Sequence, residues 1–449
     1  MMPLALSDLV RLLGCDCDAA GMEIHDVVTD SRKVTPGCLF AALVGERVDG
    51  HDFAGRAVAS GALALLVERR LDIDVPQLVV GNVLKALGAI AGLVRDRLDA
   101  QVVGITGSNG KTTVKEMLAS ILRLEGSVLS TRGNYNNELG LPLTLFRLES
   151  KHRFAVLEMG ASKPGDIAYL AQIAKPRVGL VNNIAPAHLE GFGSIEGVAR
   201  TKGEMFSSLP HDGWAVMNAD EPWLDMWRGI SSAGNTITFG AAANSDVRVE
   251  ETMPNGRIVT PAGAFEPSLP LPGRHNLLNA AAATAIALSL GISIDTIRRG
   301  LEQVVPVPGR LNLLRTDAGW TVIDDSYNAN PASIYSALQV LSGIEGEAWL
   351  ALGDMKELGD DTVKMHREVG ENARAMGVKR MFATGELSAQ AAQAFGAGAL
   401  HFETRDDLVA GLRREIHAGV ICLVKGSRSM GMEAVVDALL EESNTRGGC

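Results

Sequence analysis

The sequence lacks long hydrophobic runs and basic tracts, and both absences restrict what the protein can bind. Among its 449 residues, no apolar run reaches the ~20 residues that a membrane-spanning helix needs. Lysine and arginine number 42 against 53 acidic residues, which gives a formal net charge of −11, and the basic residues form no cluster. These features argue against a membrane or nucleic-acid partner.

The cysteines are too few and too irregular for a disulfide framework. They are Cys15, Cys17, Cys38, Cys422 and Cys449, an odd number without a CxxC pair. The first residues also lack the basic segment of a secretory signal. A reducing cytoplasm is therefore the expected location. Cys15 and Cys17 could bind a metal, but loop or half-buried thiols are the simpler interpretation.

A glycine-rich turn between a strand and a helix is the most informative segment of the chain. An apolar strand pattern at 101–105 precedes it, and apolar residues at helical spacing follow at 114–122. The turn consists of Gly107, Ser108, Asn109, Gly110, Lys111, Thr112 and Thr113. Backbone N–H groups in such a turn, with the positive end of the helix, can surround a phosphate group.

The residues of this turn predict an ATP site. Lys111 is expected to reach the β- and γ-phosphates, and Thr112 to place its hydroxyl on Mg²⁺. The general phosphate-loop pattern has a glycine where this chain has Ile105, so an ordinary strand-to-helix turn is the alternative. The agreement of strand, turn and helix signals favours ATP binding.

The alternation of strand and helix patterns predicts an α/β protein of three domains. Residues 1–84 form a small α/β block, and 85–307 alternate as expected for a parallel P-loop ATPase sheet. A Pro-Val-Pro-Gly linker at 306–309 leads into 308–449, where a Rossmann-like doubly wound sheet is predicted. In such sheets, ligands bind beyond the carboxyl ends of the strands.

Several polar residues follow predicted strands of the central block. Glu158 ends an apolar strand and is a natural Mg²⁺ ligand, although such acids also cap helices. His188 follows another strand, where a metal ligand and an ordinary loop histidine are both open. Lys202 lies in a helical pattern, and from the residues alone it is expected to be solvated.

Polar residues near the third block suggest that ATP lies between two domains. Arg310 could stabilise charge on a transferred phosphoryl group, and Asp325 could hold ribose hydroxyls. The amide-rich segment 133–140 could form a turn or position phosphoryl and acyl oxygens. Closure of the domains would then exclude water.

The motifs together resemble the Mur ligases of peptidoglycan synthesis, and they extend from Thr29 to Met432. The shared motifs are Thr106–Thr113, Gly133–Pro142, Leu157–Gly160, Ala185–Leu189, Gly273–Ala280 and Pro308–Arg310. Within the family, the resemblance is to the ligases that add D-alanyl-D-alanine. The motifs particular to them are Asp325–Pro331, Gly353–Gly359 and Lys425–Met430. Gly431 departs from the pattern, which generally has arginine there.

The resemblance implies a role for each domain and for individual residues. The N-terminal domain is expected to bind the UDP-sugar through Ser31 and Arg32, and the central domain to bind ATP and two Mg²⁺ ions. The implied catalytic residues are Lys111, Asn137, Glu158, His188, Lys202 and Arg310. The implied nucleotide-binding residues are Gly107, Ser108, Asn109, Gly110, Lys111, Thr112, Thr113, Asn276, Arg310 and Asp325. The implied metal ligands are Thr112, Glu158, His188 and a carbamylated Lys202.

The resemblance also implies the reaction and its partners. The γ-phosphoryl group of ATP is expected to move to the terminal carboxylate of UDP-N-acetylmuramoyl-tripeptide, and the amine of D-alanyl-D-alanine to attack the acyl phosphate. A monomer is expected. The alternatives are the sister ligase that adds the third residue, a folate-type polyglutamate ligase, and a catalytically silent nucleotide-binding protein.

Overall fold

The computed structural model describes residues 1–18, 21–186, 189–251 and 256–446, which form three α/β domains. The elements of the first domain are β1 (Leu4–Ala5), α1 (Leu6–Leu13), β2 (Glu23–Ile24), β3 (Asp26–Val28), β4 (Cys38–Ala41), α2 (Ala54–Ala59), β5 (Ala62–Val67), β6 (Gln77–Val79) and α3 (Val83–Asp96). Strands β3 to β6 form a parallel sheet in chain order, and β1 pairs antiparallel with β2.

The second domain is built on a nine-stranded sheet. Its elements are β7 (Gln101–Thr106), α4 (Lys111–Arg123), β8 (Val128–Ser130), α5 (Gly140–Leu145), β9 (Phe154–Glu158), α6 (Asp166–Ala174), β10 (Val178–Val181), α7 (Leu189–Phe192), α8 (Ile195–Ser207), β11 (Trp214–Asn218), α9 (Leu224–Ile230), β12 (Asn235–Gly240), β13 (Val247–Glu250), β14 (Arg257–Thr260), β15 (Gly263–Phe265), α10 (Arg274–Ser289) and α11 (Ile294–Glu302). The strand order is β15-β14-β13-β12-β11-β10-β7-β9-β8. Pairing is parallel from β8 to β13, and β14 and β15 add an antiparallel edge.

Helices cover both faces of this nine-stranded sheet. Helices α4, α10 and α11 share one apolar core with it, and α3, α5, α6 and α8 contribute to the core on the other face. Helix α10 is rich in alanine, and Ala280–Ala283 are fully buried. Small side chains let this helix lie close to the sheet and to α4.

The third domain is a six-stranded, doubly wound sheet. Its elements are β16 (Asn312–Arg315), β17 (Thr321–Asp325), α12 (Pro331–Ser342), β18 (Glu347–Gly353), α13 (Thr362–Ala375), β19 (Arg380–Thr384), α14 (Ser388–Phe395), β20 (Ala399–Phe402), α15 (Arg405–Glu415), β21 (Val420–Lys425) and α16 (Glu433–Arg446). The order is β16-β17-β21-β18-β19-β20, and only β16 pairs antiparallel among these described strands. Helices α12 to α14 pack on one face, and α15 and α16 on the other.

This architecture confirms the predicted α/β class with a central parallel sheet and a C-terminal doubly wound sheet. The predicted domain limits at 84 and 307 stay predictions. Helix α3 begins at Val83, where the Asn82 side chain accepts a hydrogen bond from Lys85 N. It packs against α1 as well as α5 and α6, so it joins the first two domains. In the described part of the chain, every helix is too short or too polar to span a bilayer.

Candidate active site

A cavity of about 660 Å³ lies where the nine-stranded and six-stranded sheets face each other with their carboxyl edges. Strands β7, β9 and β10 end at this cavity from one domain, and β17 and β21 from the other. Twelve of the residues singled out in the sequence line it: Ser108, Asn109, Gly110, Lys111, Thr112, Thr113, Asn137, Glu158, Lys202, Asn276, Arg310 and Asp325.

Two glycines let the loop before α4 fold tightly. Gly107 and Gly110 have φ values of 151° and 78°. A Cβ atom at Gly110 would lie 2.4 Å from Asn279 Oδ1 and 2.6 Å from Asn182 Nδ2, so a side chain has no room there. Because α4 begins at Lys111, the N–H groups of its first turn are free to face an anion. The loop therefore fits a phosphate group.

The Lys111 ammonium lies directly over this loop. Its Nζ donates to Gly107 O at 2.7 Å and to Ser108 O at 3.2 Å. Burial lowers the pKa of Lys111, the nearby Glu158 carboxylate opposes this shift, and the charge of Arg310 adds to it. A bound polyanion would neutralise the positive charges of Lys111 and Arg310.

Glu158 presents oxygen atoms at the cavity wall. It is 2% exposed, and it accepts hydrogen bonds from Thr112 Oγ1 and Asn136 Nδ2, both at 2.8 Å. A buried carboxylate beside a hydroxyl is the donor type that Mg²⁺ prefers, so these residues fit the ion. His188 lies outside the described residues. Within those residues, no three His, Cys, Asp or Glu side chains form a cluster that could hold a metal.

Lys202 is buried in α8, so the residue-based expectation of a solvated lysine is wrong. It is 2% exposed, and in the described part of the chain its Nζ has no hydrogen-bond or ion-pair partner. The ring of Phe192 lies 5.8 Å from Nζ. Burial, with the charge of Lys111 second, lowers the pKa of Lys202 well below its ordinary value. A lowered pKa favours the neutral amine, which is the form of lysine that reacts with carbon dioxide.

The C-terminal domain contributes Arg310 and Asp325 to the opposite wall. Asp325 Oδ2 accepts from Lys425 Nζ at 2.5 Å, and its Oδ1 accepts from Leu311 N at 3.2 Å. Burial raises the pKa of Asp325, and Lys425 opposes that shift. The Arg310 guanidinium lies over the Tyr327 ring, 4.1 Å from its centroid.

One hydrogen bond joins the two walls directly. Asn330 Nδ2, at the start of α12, donates to Asn109 Oδ1 in the glycine-rich loop at 2.8 Å. The phosphate loop and the C-terminal domain are thus in contact across the cavity.

The two residues predicted to bind the UDP-sugar lie outside this cavity. Ser31 and Arg32 form a 3₁₀ turn in the first domain, and neither lines the cavity. Arg32 Nε and Nη2 donate to the Asp30 carboxylate at 2.9 and 2.8 Å. A substrate that reached both places would have to extend across the first and second domains.

Two buried asparagines of the site were not singled out in the sequence. Asn182 Nδ2 donates to Asn279 Oδ1 at 2.9 Å and to Asn109 O at 3.0 Å, which braces the loop. The sequence could have predicted Asn279, because it lies three residues after Asn276 and therefore on the same face of α10. Asn182 directly follows β10 at the sheet edge.

Comparisons with known proteins agree across the whole chain. Models of the Mur ligase family catalytic domain, the Mur ligase middle domain and the Mur ligase glutamate ligase domain match residues 23–95, 105–287 and 309–428. UDP-N-acetylmuramoyl-tripeptide–D-alanyl-D-alanine ligase of Escherichia coli (strain K12) is 46% identical over 450 residues, covering 98% of this chain and 99% of that protein. The chain belongs to the Mur ligase family.

Crystal structures of other Mur ligases share its fold. A crystal structure of MurF from Acinetobacter baumannii has a TM-score of 0.92 and 35% identity, covering 98% of this chain and 99% of that one. MurF from Thermotoga maritima in complex with ADP has a TM-score of 0.85 and 31% identity, covering 94% and 98%.

Proposed function

We propose that this Mur ligase joins D-alanyl-D-alanine to UDP-N-acetylmuramoyl-tripeptide, with hydrolysis of ATP to ADP and phosphate, in the cytoplasmic synthesis of peptidoglycan precursors. The observation that carries the proposal is the cavity in which the glycine-rich loop faces Arg310 and Asp325. The E. coli ligase of this name, similar over nearly the full length, supports the same substrates. This similarity favours the D-alanyl-D-alanine ligase reaction over that of the sister ligase or of a folate-type ligase. It also argues against a silent nucleotide-binding protein.

ATP is needed because a carboxylate is too poor an electrophile to form an amide directly. In the first step, a carboxylate oxygen of the tripeptide attacks the γ-phosphorus of ATP, and ADP leaves. In the second step, the amine of D-alanyl-D-alanine attacks the carbonyl carbon of the acyl phosphate. The C–O bond to phosphate breaks, the amine loses a proton, and the amide and inorganic phosphate remain.

The residues of the cavity act by positioning and by charge. Lys111 and Arg310 flank the space for the triphosphate, where two cations stabilise the charge on the transferred phosphoryl group. Asn137 and Asn276 provide neutral amides nearby, and Asp325 provides an acceptor for ribose hydroxyls. Closure of the two walls would hold the reactants in line and exclude water.

Thr112, Glu158 and a carbamylated Lys202 would hold Mg²⁺ in this site, together with His188. The bound ions supply positive charge to the phosphate oxygens. Carbamylation is the step that makes Lys202 useful here, because it replaces an amine with an oxygen ligand. The burial and the lowered pKa of Lys202 support this assignment.

Phosphate release from ATP tests the proposed function. Release is expected only when both UDP-N-acetylmuramoyl-tripeptide and D-alanyl-D-alanine are present. Lys111→Ala should abolish it, whereas Lys151→Ala, at an exposed lysine paired with Glu149, should not. Release without either acceptor would indicate a plain ATPase, and no release at all would indicate a binding protein.

A further inference from the structure

The Tyr327 ring lies beneath the arginine that faces the phosphate loop. Tyr327 comes two residues after the end of β17 and lines the cavity. The guanidinium carbon of Arg310 lies 4.1 Å from the ring centroid, well within the range of a cation–π contact. Arg428 also lies over this ring, but at 5.5 Å, and its Nη1 donates to Glu433 at 3.1 Å.

This stacking leaves the donors of Arg310 available. A guanidinium has five N–H donors around its edge, and contact through its flat face uses none of them. Among the described residues, no side chain or carbonyl forms a hydrogen bond or ion pair with the Arg310 guanidinium. Its position is therefore set by the ring, while its edge is free for an anion.

The backbone of Tyr327 also fixes the backbone next to Arg310. Tyr327 N donates to Gly309 O at 3.1 Å, and Gly309 N donates to Asp324 Oδ2 at 2.7 Å. Gly309 has a φ of 77°, and a Cβ atom there would lie 3.1 Å from Tyr327 Cβ. Both ends of Arg310, its main chain and its guanidinium, are thus held against the same tyrosine.

We propose that Tyr327 is a positioning residue that holds the Arg310 guanidinium toward the transferred phosphoryl group. The aromatic face of Tyr327 holds the guanidinium, and the phenol hydroxyl is not needed. The proposal rests on the proposed function, in which Arg310 meets the phosphates. Arg428 contributes less, because it lies farther from the ring and is paired with Glu433.

A double-mutant cycle on the phosphate-release assay tests this role. Tyr327→Ala and Tyr327→Leu are expected to lower kcat/KM for ATP by about ten- to a hundred-fold, the size of loss that a small misplacement of a catalytic group causes. Tyr327→Phe should keep most of the wild-type kcat/KM for ATP. In an Arg310→Ala background, Tyr327→Ala should cause no further loss. Tyr335→Ala, at an exposed tyrosine of α12 outside the cavity lining, is the matched control.

The outcomes separate this proposal from the function on which it rests. An equal loss from Tyr327→Ala in both backgrounds would overturn the positioning role and leave the ligase function standing, as would a Tyr327→Phe variant as slow as Tyr327→Ala. Full activity in Tyr327→Leu would also overturn it, since leucine fills space without an aromatic face. Full activity in Arg310→Ala would overturn the role of Arg310 and this proposal together. Melting curves identify any variant that fails to fold, and the Phe and Leu variants then decide the test.

Discussion

At the scale of the residue, Gly110 lies where the glycine-rich loop has no room for a side chain. Gly110→Ala is expected to abolish ATP binding, because its Cβ atom would displace the Asn182–Asn279 amide pair. The left-handed backbone alone costs an alanine about 1–2 kcal/mol. Gly291→Ala is the matched control, since Gly291 has a φ of 77° and no atom within 4 Å of an added Cβ. Calorimetric titration with ATP should distinguish them. Equal affinity in both variants would contradict the steric argument.

The proposed carbamylation of Lys202 can be tested chemically. Lys202→Ala should lose ligase activity, and acetate or formate at millimolar concentrations should restore part of it by occupying the place of the carbamate. Lys111→Ala should gain nothing from the same carboxylates, because a carboxylate cannot replace a cation. Absence of rescue in a Lys202→Ala protein that folds and binds metal would count against carbamylation.

His275 predicts a dependence of stability on pH. Burial, with the charge of Lys425 second, lowers the pKa of His275 from 6.5 to about 4. Between pH 4 and pH 6.5, His275 is protonated in the unfolded chain and remains neutral in the folded protein. The stabilisation is therefore complete above pH 6.5 and is lost as the pH falls toward 4. It amounts to about 3 kcal/mol at most, at about 1.4 kcal/mol per pKa unit.

Urea unfolding at several pH values measures this effect. Between pH 7 and pH 4, the wild-type free energy of unfolding should fall more steeply than that of His275→Gln, which has no group titrating in this range. Parallel curves for the two proteins would show that His275 titrates alike in the folded and unfolded states.

At the scale of the element, the residue that caps the N-terminus of helix α12 also forms the contact between the second and third domains. Asn330 Oδ1 accepts from Ser333 N at 2.9 Å, while its Nδ2 donates to Asn109. Asn330→Asp keeps the cap and removes the donor, so it should raise KM for ATP with little loss of stability. Asn330→Ala should also lose about 1 kcal/mol, the usual value of an N-cap.

Asn82→Ala is the matched control for the cap. Asn82 caps α3 in the same way, through Lys85 N at 2.8 Å, and has no contact with the loop. This variant should lose similar stability and keep the wild-type KM for ATP. An Asn330→Asp variant with wild-type kinetics would show that the contact with Asn109 is not used.

The strands show which elements a sequence can predict. The strands β7, β9, β10 and β11 are buried apolar runs, and such a run predicts β7 from the pattern at 101–105. The strands β8, β12, β16 and β20 have weaker sequence patterns. They are short or carry polar residues at alternate positions, and β16 and β20 lie at sheet edges where they are only half-buried. Their pairing depends on neighbours distant in sequence, which hydrophobic periodicity does not contain.

The site itself was predictable only in part from the residues. The glycine-rich loop and Glu158 follow from local patterns, because a strand, a turn and a helix occur in sequence. The burial of Lys202 does not follow from a local pattern, because α8 has the charged and apolar composition of an ordinary surface helix. Only packing against the sheet places Lys202 beside Lys111. The resemblance to the Mur ligases supplied the metal role that local chemistry could not.

At the scale of the whole molecule, the linker between the second and third domains should control the rate. Val307 O accepts hydrogen bonds from Arg310 N and Asn312 Nδ2, so the end of the linker is attached to the start of the third domain. Replacing Pro306 and Pro308 with alanine should lower kcat/KM for ATP by roughly ten-fold, since each proline restricts the free chain by about 0.4–1 kcal/mol.

The linker prediction has a control in the same segment. Val305 is 77% exposed, and Val305→Ser should leave the rate unchanged. Small-angle scattering should show a broader distribution of domain separations for the proline variant, with unchanged melting of the domains. An unaltered rate despite that broadening would show that the linker does not orient Arg310.

The division of cations between two sheets has a consequence for the fate of ATP. Lys111 belongs to the domain of the nine-stranded sheet, and Arg310 to the domain of the six-stranded one. A nucleotide held by the central domain alone would therefore lack the second cation of the proposed phosphoryl transfer. On the proposed function, we expect little futile hydrolysis, because full electrostatic activation and the exclusion of bulk water both require the two domains to face each other.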